Sequence, residues 1–269
     1  MLHPLSPGRR RLVAAGLVTA AVAVVALVVA LTHQGPAGGP AGTDTKPPVV
    51  LVPGYGGATD ALEVLAAGLR DDGRFVRIVE LGSASLGDLH EQADLIQDTV
   101  ADVRHDTGAT TVDLVAFSAG GVAARLWATE DGGAKVARRI VTLSSPHHGT
   151  DSDVISSKLG GGTCPVACQQ LDAGSSLIRD LNRGDETPAG PDWVSIWTDD
   201  DDLLVPPTTA RLDGALDFAI QSVCPDLTVA HLGLPANPVV VAMVRDELDD
   251  AEPSRPGTSV CRLAPTRTP

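Results

Sequence analysis

The sequence predicts an α/β domain: a mostly parallel central sheet with helices on both faces. Three observations point to it. From Pro48 onward, short apolar runs alternate with amphipathic stretches at helical spacing. The runs are apolar throughout, as strands covered on both sides must be. One of them, Val112-Asp113-Leu114-Val115-Ala116-Phe117, passes through Ser118-Ala119-Gly120-Gly121 straight into an Ala-rich helical pattern, the join expected in a βα unit.

In chain order, residues 48–52 read as a buried strand ending in the Gly-rich loop Pro53-Gly54-Tyr55-Gly56-Gly57. Residues 60–69 read as a helix, with Leu62, Leu65 and Leu69 on one face. A strand is predicted over 75–81. A longer helix over 88–105 follows, in which Leu89, Ala93, Ile96, Val100 and Val103 recur every three or four residues. After the 112–117 strand and its helix, residues 139–144 give another strand. Residues 145–191 are rich in Gly, Ser and Asp, with one helical piece at 176–181. So long an excursion after a sheet strand reads as a wall or minimal cap over the functional edge. Residues 193–197 form a strand that runs into Asp199-Asp200-Asp201-Asp202. Either 216–223 or 227–230 supplies the last strand before His231. Residues 238–248 read as a closing helix, and the tail after Glu252 as frayed apart from Cys261.

Residues 1–32 stand outside this pattern. Arg9, Arg10 and Arg11 precede an uncharged apolar run from Leu12 to Leu31. This reads as a cleaved export signal or as a signal anchor long enough to span a bilayer. Either way the basic flank stays inside and the domain lies outside. Residues 33–48, rich in Gly, Pro, Ala and Thr, read as a disordered linker, and 49–269 as the domain. The expected location is secreted, or anchored to the outer face of the cytoplasmic membrane. The four cysteines, Cys164, Cys168, Cys224 and Cys261, all fall in the exported part. The expectation is two disulfides, Cys164–Cys168 and Cys224–Cys261. No histidine sits at ligand spacing beside them, which disfavours a metal site.

With 269 residues, 43% of them hydrophobic, the chain is long enough for one large domain. Only 3% of residues are aromatic, so Ala, Val, Leu and Ile must build the core. The net charge of −14 and the lack of a basic stripe exclude nucleic acid as a partner. They also exclude electrostatic docking on anionic membranes, leaving the N-terminal segment as the only membrane contact. The chain is expected to be a monomer.

The turn at Ser118 carries the chemistry. A strand feeding a helix through a one-residue turn requires small neighbours, and Ala116, Ala119, Gly120 and Gly121 supply them. The apex hydroxyl then points outward above a helix N-terminus, the geometry of a nucleophile elbow, here Ala-x-Ser-x-Gly. The bland alternative is a serine capping an ordinary helix. A serine nucleophile needs a base, and the base needs a carboxylate to orient it. Of seven histidines only His231 follows the acidic run. Backbone N–H groups of Ala119 and Tyr55 are the expected oxyanion donors. His147 and His148, near Asp151 and Asp153, read as residues of the site edge, with a metal pair as the alternative.

These pieces together resemble the α/β-hydrolase superfamily, in particular the small secreted bacterial lipases of the lipase class 2 type. The resemblance rests on Val49-Val50-Leu51-Val52-Pro53-Gly54-Tyr55-Gly56-Gly57, Ala116-Phe117-Ser118-Ala119-Gly120-Gly121, Leu143-Ser144-Ser145-Pro146-His147-His148-Gly149-Thr150, Ser195-Ile196-Trp197-Thr198 with its acidic run, Arg211-Leu212-Asp213-Gly214-Ala215, and the late His231. Pro53 stands where that family usually has His. The resemblance implies the α/β-hydrolase fold and hydrolysis of an ester or lipid substrate through an acyl-enzyme on Ser118, with His231 as base and no cofactor. It leaves two registers for the acid. Counting from the Trp197 strand gives Asp201, the preferred choice, and counting back from Arg211 gives Asp202. The rivals are an acyltransferase on the same fold and a non-catalytic cell-surface binding module.

Overall fold

The computed structural model describes residues 46–264. The signal or anchor segment and nearly all of the linker lie outside the described residues. The last linker residues belong to the domain: Lys46 pairs with Asp72 and Asp249, and the carbonyl of Pro48 accepts from the Asp113 N–H.

Six parallel strands form one sheet, in the order β2-β1-β3-β4-β5-β6. They are β1 (Val49–Val52), β2 (Val76–Ile78), β3 (Val112–Phe117), β4 (Ala137–Leu143), β5 (Asp192–Trp197) and β6 (Leu216–Ala219). The helices are α1 (Asp60–Asp71), α2 (Leu89–Thr107), α3 (Ala119–Glu130), α4 (Ser152–Lys158), α5 (Val166–Gln170), α6 (Ser176–Leu181) and α7 (Pro238–Asp249). Strand residues alternate between two cores. Val50, Val52, Leu114, Ala116 and Ile140 pack with α2 and α3, whereas Val49, Leu51, Val115, Val141 and Val194 pack with α1 and α7. Both faces of the strands are therefore buried, which is why the sequence shows continuous apolar runs. The chain order reverses between β1 and β3. In open parallel sheets, ligands bind at the carboxyl end of such a switch point, and Ser118 lies at that end of β3.

The structure corrects several boundaries. The second strand covers Val76–Ile78 rather than 75–81, because four-residue β1 is its only partner and runs out of pairing register at Leu51↔Ile78. Residues 216–223 yield only Leu216–Ala219 as strand, and 227–230 yield none. There the Val229 carbonyl is taken by the Thr198 hydroxyl at 2.7 Å, not by a neighbouring strand. The cap carries α4 and α5 besides α6, pieces too short for periodicity to reveal. The tail is not frayed: Thr258–Leu263 forms a 3₁₀ helix with Val260 buried, held by the Cys224–Cys261 disulfide. Cys164–Cys168 closes the loop before α5. Among the described residues no helix is long and apolar enough to cross a membrane.

Candidate active site

β3 ends at Phe117 and α3 begins at Ala119, so the whole turn falls on Ser118, at φ 54° and ψ −126°. A non-glycine residue in that region costs on the order of 1–3 kcal/mol. The surrounding hydrogen bonds hold it there. The Ser118 N–H donates to the Leu143 carbonyl, and the Ser118 carbonyl accepts from the Gly121 N–H, both at 2.9 Å. Two glycines let the neighbouring chain come close. A Cβ on Gly120 would lie 2.5 Å from the Pro53 carbonyl oxygen, and one on Gly54 would lie 2.9 Å from the Ser118 Cβ. The β1 loop and the elbow are thereby pressed together.

His231 opens the 3₁₀ turn His231–Ala236 and is 1% exposed. Its Nε2 lies 2.9 Å from Ser118 Oγ, and its Nδ1 lies 2.8 and 3.0 Å from the two carboxylate oxygens of Asp201. Facing a carboxylate, Nδ1 carries the ring proton, which leaves Nε2 as an acceptor for the serine hydroxyl. The Phe117 ring packs on the imidazole at 5.0 Å between centroids. Asp201 Oδ1 also accepts from the N–H groups of Leu203 and Leu204, at 2.9 and 2.8 Å. Burial works to raise the Asp201 carboxyl, but the hydrogen bonds from His231, Leu204 and Leu203 outweigh it and hold it below its usual range. Asp202 turns outward to Lys158 at 3.0 Å. Of the two registers open in the sequence, the structure has the one that brings Asp201 to His231. The peptide N–H of Asp199 and the carboxylate of Asp200 both engage Gln221.

No hydrogen bond among the described residues engages the backbone N–H of Tyr55 or of Ala119, whereas Gly56 and Gly57 donate to Ser85 and Gly54. Two free donors thus lie on the two segments that meet at Ser118, one of them at the N-terminus of α3. Beside the serine is a narrow crevice of about 10 Å³, walled chiefly by Tyr55, Thr150, Ile155, Leu171, Leu203 and Leu204. A larger groove of about 730 Å³ runs between α3, α5 and α6, but neither Ser118 nor its partners line it. Ser118 therefore opens on the smaller crevice, not on the groove.

The adjacent histidines do not line the site edge together. His147 is fully buried and bonded to Thr142 Oγ1 at 3.0 Å; burial pushes its pKa well below the usual value, so it is a neutral core residue. His148 is exposed and meets Glu186 at 3.0 Å. Asp151 caps α4. Among the described residues no three His, Cys, Asp or Glu side chains gather as a metal-binding group.

Sequence reasoning missed the residues that hold the loops. Arg125, 1% exposed, reaches from α3 to the carbonyls of His147, Leu181 and Glu186 and to the Asn182 side chain. A lone arginine in a helix apolar all round was its signal. Thr198 and Gln221 tie the acid loop to the segment before His231, and nothing in the sequence marks them.

Residues 48–181 match the family model for palmitoyl protein thioesterase. Aspergillus fumigatus lipase B superposes with a TM-score of 0.72 at 20% identity, over 86% of this chain and 58% of that one. The chain therefore spans 58% of that lipase's length. The mature form of Bacillus licheniformis lipase BlEst2 superposes with a TM-score of 0.63 at 17% identity, over 78% of this chain and 96% of that one. The chain has the α/β-hydrolase fold. The turn at Ser118 follows an inner strand of the parallel sheet, the place a nucleophile elbow takes in that fold, and Ser118, Asp201 and His231 stand in that order along the chain. No curated protein matches this chain.

Proposed function

We propose that the protein is a serine hydrolase that cleaves carboxylic esters through an acyl-enzyme on Ser118, with His231 and Asp201 completing a catalytic triad. The observation that carries this reading is the unbroken chain Ser118 Oγ–His231 Nε2 at 2.9 Å and His231 Nδ1–Asp201 Oδ2 at 2.8 Å. His231 takes the hydroxyl proton as Ser118 Oγ bonds to the ester carbonyl carbon. The carbonyl oxygen becomes an oxyanion, met by the N–H groups of Tyr55 and Ala119. Collapse expels the alcohol, which takes the proton from His231. Water then repeats the sequence and releases the acid. The apolar lining of the crevice supports an apolar acyl group.

A second reading keeps the residues and changes the leaving group from alcohol to thiol. The match over residues 48–181 to a family described as palmitoyl protein thioesterase favours it. The exported form expected from the sequence, secreted or anchored at its N-terminus, fits two disulfides in the domain. Paired oxygen esters and thioesters of graded acyl length test both readings, with Ser118→Ala as control. Hydrolysis of either series that vanishes in the control supports the proposal. Transfer to an added alcohol in preference to water assigns an acyltransferase. Inertness of the folded wild-type protein toward both series favours a binding module.

A further inference from the structure

Thr150 closes the motif Pro146-His147-His148-Gly149-Thr150 and is 2% exposed. Its hydroxyl donates to the Leu203 carbonyl at 3.0 Å and accepts from the Val205 N–H at 3.0 Å. Its backbone takes both bonds offered by the strand-like segment after α5: its N–H donates to Leu171, and its carbonyl accepts from Ala173. One residue thus joins three loops at the carboxyl edge of the sheet.

The Leu203 peptide is the important partner. Its carbonyl is held by Thr150, and the N–H of the same peptide plane, that of Leu204, donates to Asp201 Oδ1 at 2.8 Å. Thr150 therefore fixes the plane of a peptide that aims the carboxylate at His231. Leu203 and Leu204 also wall the crevice beside Ser118. Without the hydroxyl, a buried carbonyl and a nearby N–H lose their partner, and the acid turn is free to relax toward other donors.

We infer that Thr150 is a positioning residue: its hydroxyl holds the acid loop in the register that aligns Asp201 with His231. This rests on the hydrolase reading of the same site. Thr150→Val keeps the branched shape and removes both side-chain bonds, whereas Thr150→Ser keeps the hydroxyl. Small misplacements of a reacting group cost up to about 100-fold. The expectation is a kcat lower by roughly 10- to 100-fold for Thr150→Val with KM little changed, and near wild-type kcat for Thr150→Ser. The downfield proton resonance of the His231–Asp201 hydrogen bond supplies a readout independent of turnover. It should shift or broaden in Thr150→Val and persist in Thr150→Ser. Thr150→Ala against Thr150→Ser provides a second comparison, differing by the hydroxyl alone, should the valine variant not fold. An unchanged kcat and resonance in Thr150→Val, equal impairment of Thr150→Ser, or a loss confined to KM would overturn the inference. So would unfolding of both hydroxyl-free variants, which makes the hydroxyl a requirement for folding. Wild-type protein that hydrolyses nothing yet shows the predicted resonance pattern refutes the hydrolase reading and leaves the positioning role standing.

Discussion

The two ends of the same sheet are built on opposite principles. At the amino ends of the strands most buried charges are paired, with the Glu247 carboxylate as an exception. Asp113 on β3 accepts from Arg74 at 3.2 Å and from Arg138 at 2.8 and 2.6 Å. Arg74 and Arg138 also grip the Leu248 carbonyl at the end of α7, and Arg139 bonds Asp192 and the carbonyls of Glu247 and Asp250. At the carboxyl ends the polar groups are left incomplete. Ser118 and Ser144 both sit at positive φ, the hydroxyls of Ser144 and Ser145 are buried without a partner, and the backbone N–H groups of Tyr55 and Ala119 make no hydrogen bond among the described residues. The paired end ties β1, β3, β4, β5 and α7 together. That rigidity lets the other end keep strained, unpaired groups in place. The lesson is a division of labour: one edge supplies stability, the other spends it on holding the proposed site.

The largest separation between the two ends should appear in turnover. Asp201→Asn is expected to keep the fold and lose up to about 10⁴-fold in kcat, because the imidazolium loses its partner and orientation. Asp202→Asn, at an exposed ion pair, should stay near wild type. Steady-state kinetics on both variants decide it, and a reversed order would move the acid. At the opposite edge, Asp113→Ala leaves the buried guanidinium of Arg74 without its carboxylate there. It should destabilise by about 3–5 kcal/mol, a fall in Tm on the order of 10 °C. The folded fraction should keep its turnover. A kinetic defect without a thermal one would break the proposed division.

A smaller effect sharpens the picture of the paired end. Glu247 is fully buried, neither carboxylate oxygen has a side-chain partner, and burial pushes its pKa up from the ordinary 4.5 to about 7. The folded state therefore binds this proton more tightly than the unfolded chain. Stability falls as pH rises from about 4.5 to about 7, by roughly 3 kcal/mol in total. Glu247→Gln should raise Tm at pH 8 by several degrees and change little at pH 4. Equal shifts at both pH values would show that the carboxylate is not the cause.

How legible each end was in the sequence follows the same division. The elbow, the glycine loop and the late histidine are local patterns, because a one-residue strand-to-helix turn and a close backbone approach restrict which residues fit. Most elements were legible for a related reason: strands buried on both faces leave continuous apolar runs. The paired end was silent. Arg74, Asp113, Arg138 and Glu247 come from four separate stretches, and a charged residue within a strand or helix looks the same whether solvated or buried. The acid was legible only as an ambiguity of one residue within Asp199–Asp202, since choosing between Asp201 and Asp202 depends on how a turn folds back on its own N–H groups. The short cap helices and the packed tail depend on the disulfides and on tertiary contacts rather than on periodicity.

The central claim is that His231, oriented by Asp201, activates Ser118 as a nucleophile. Its most direct test is covalent labelling of the folded protein with an active-site serine phosphonate, followed by peptide mass mapping. The account predicts a single adduct on Ser118, no labelling in Ser118→Ala and much slower labelling in His231→Ala. A folded wild-type protein that takes no label, or one labelled equally fast without His231, would contradict it.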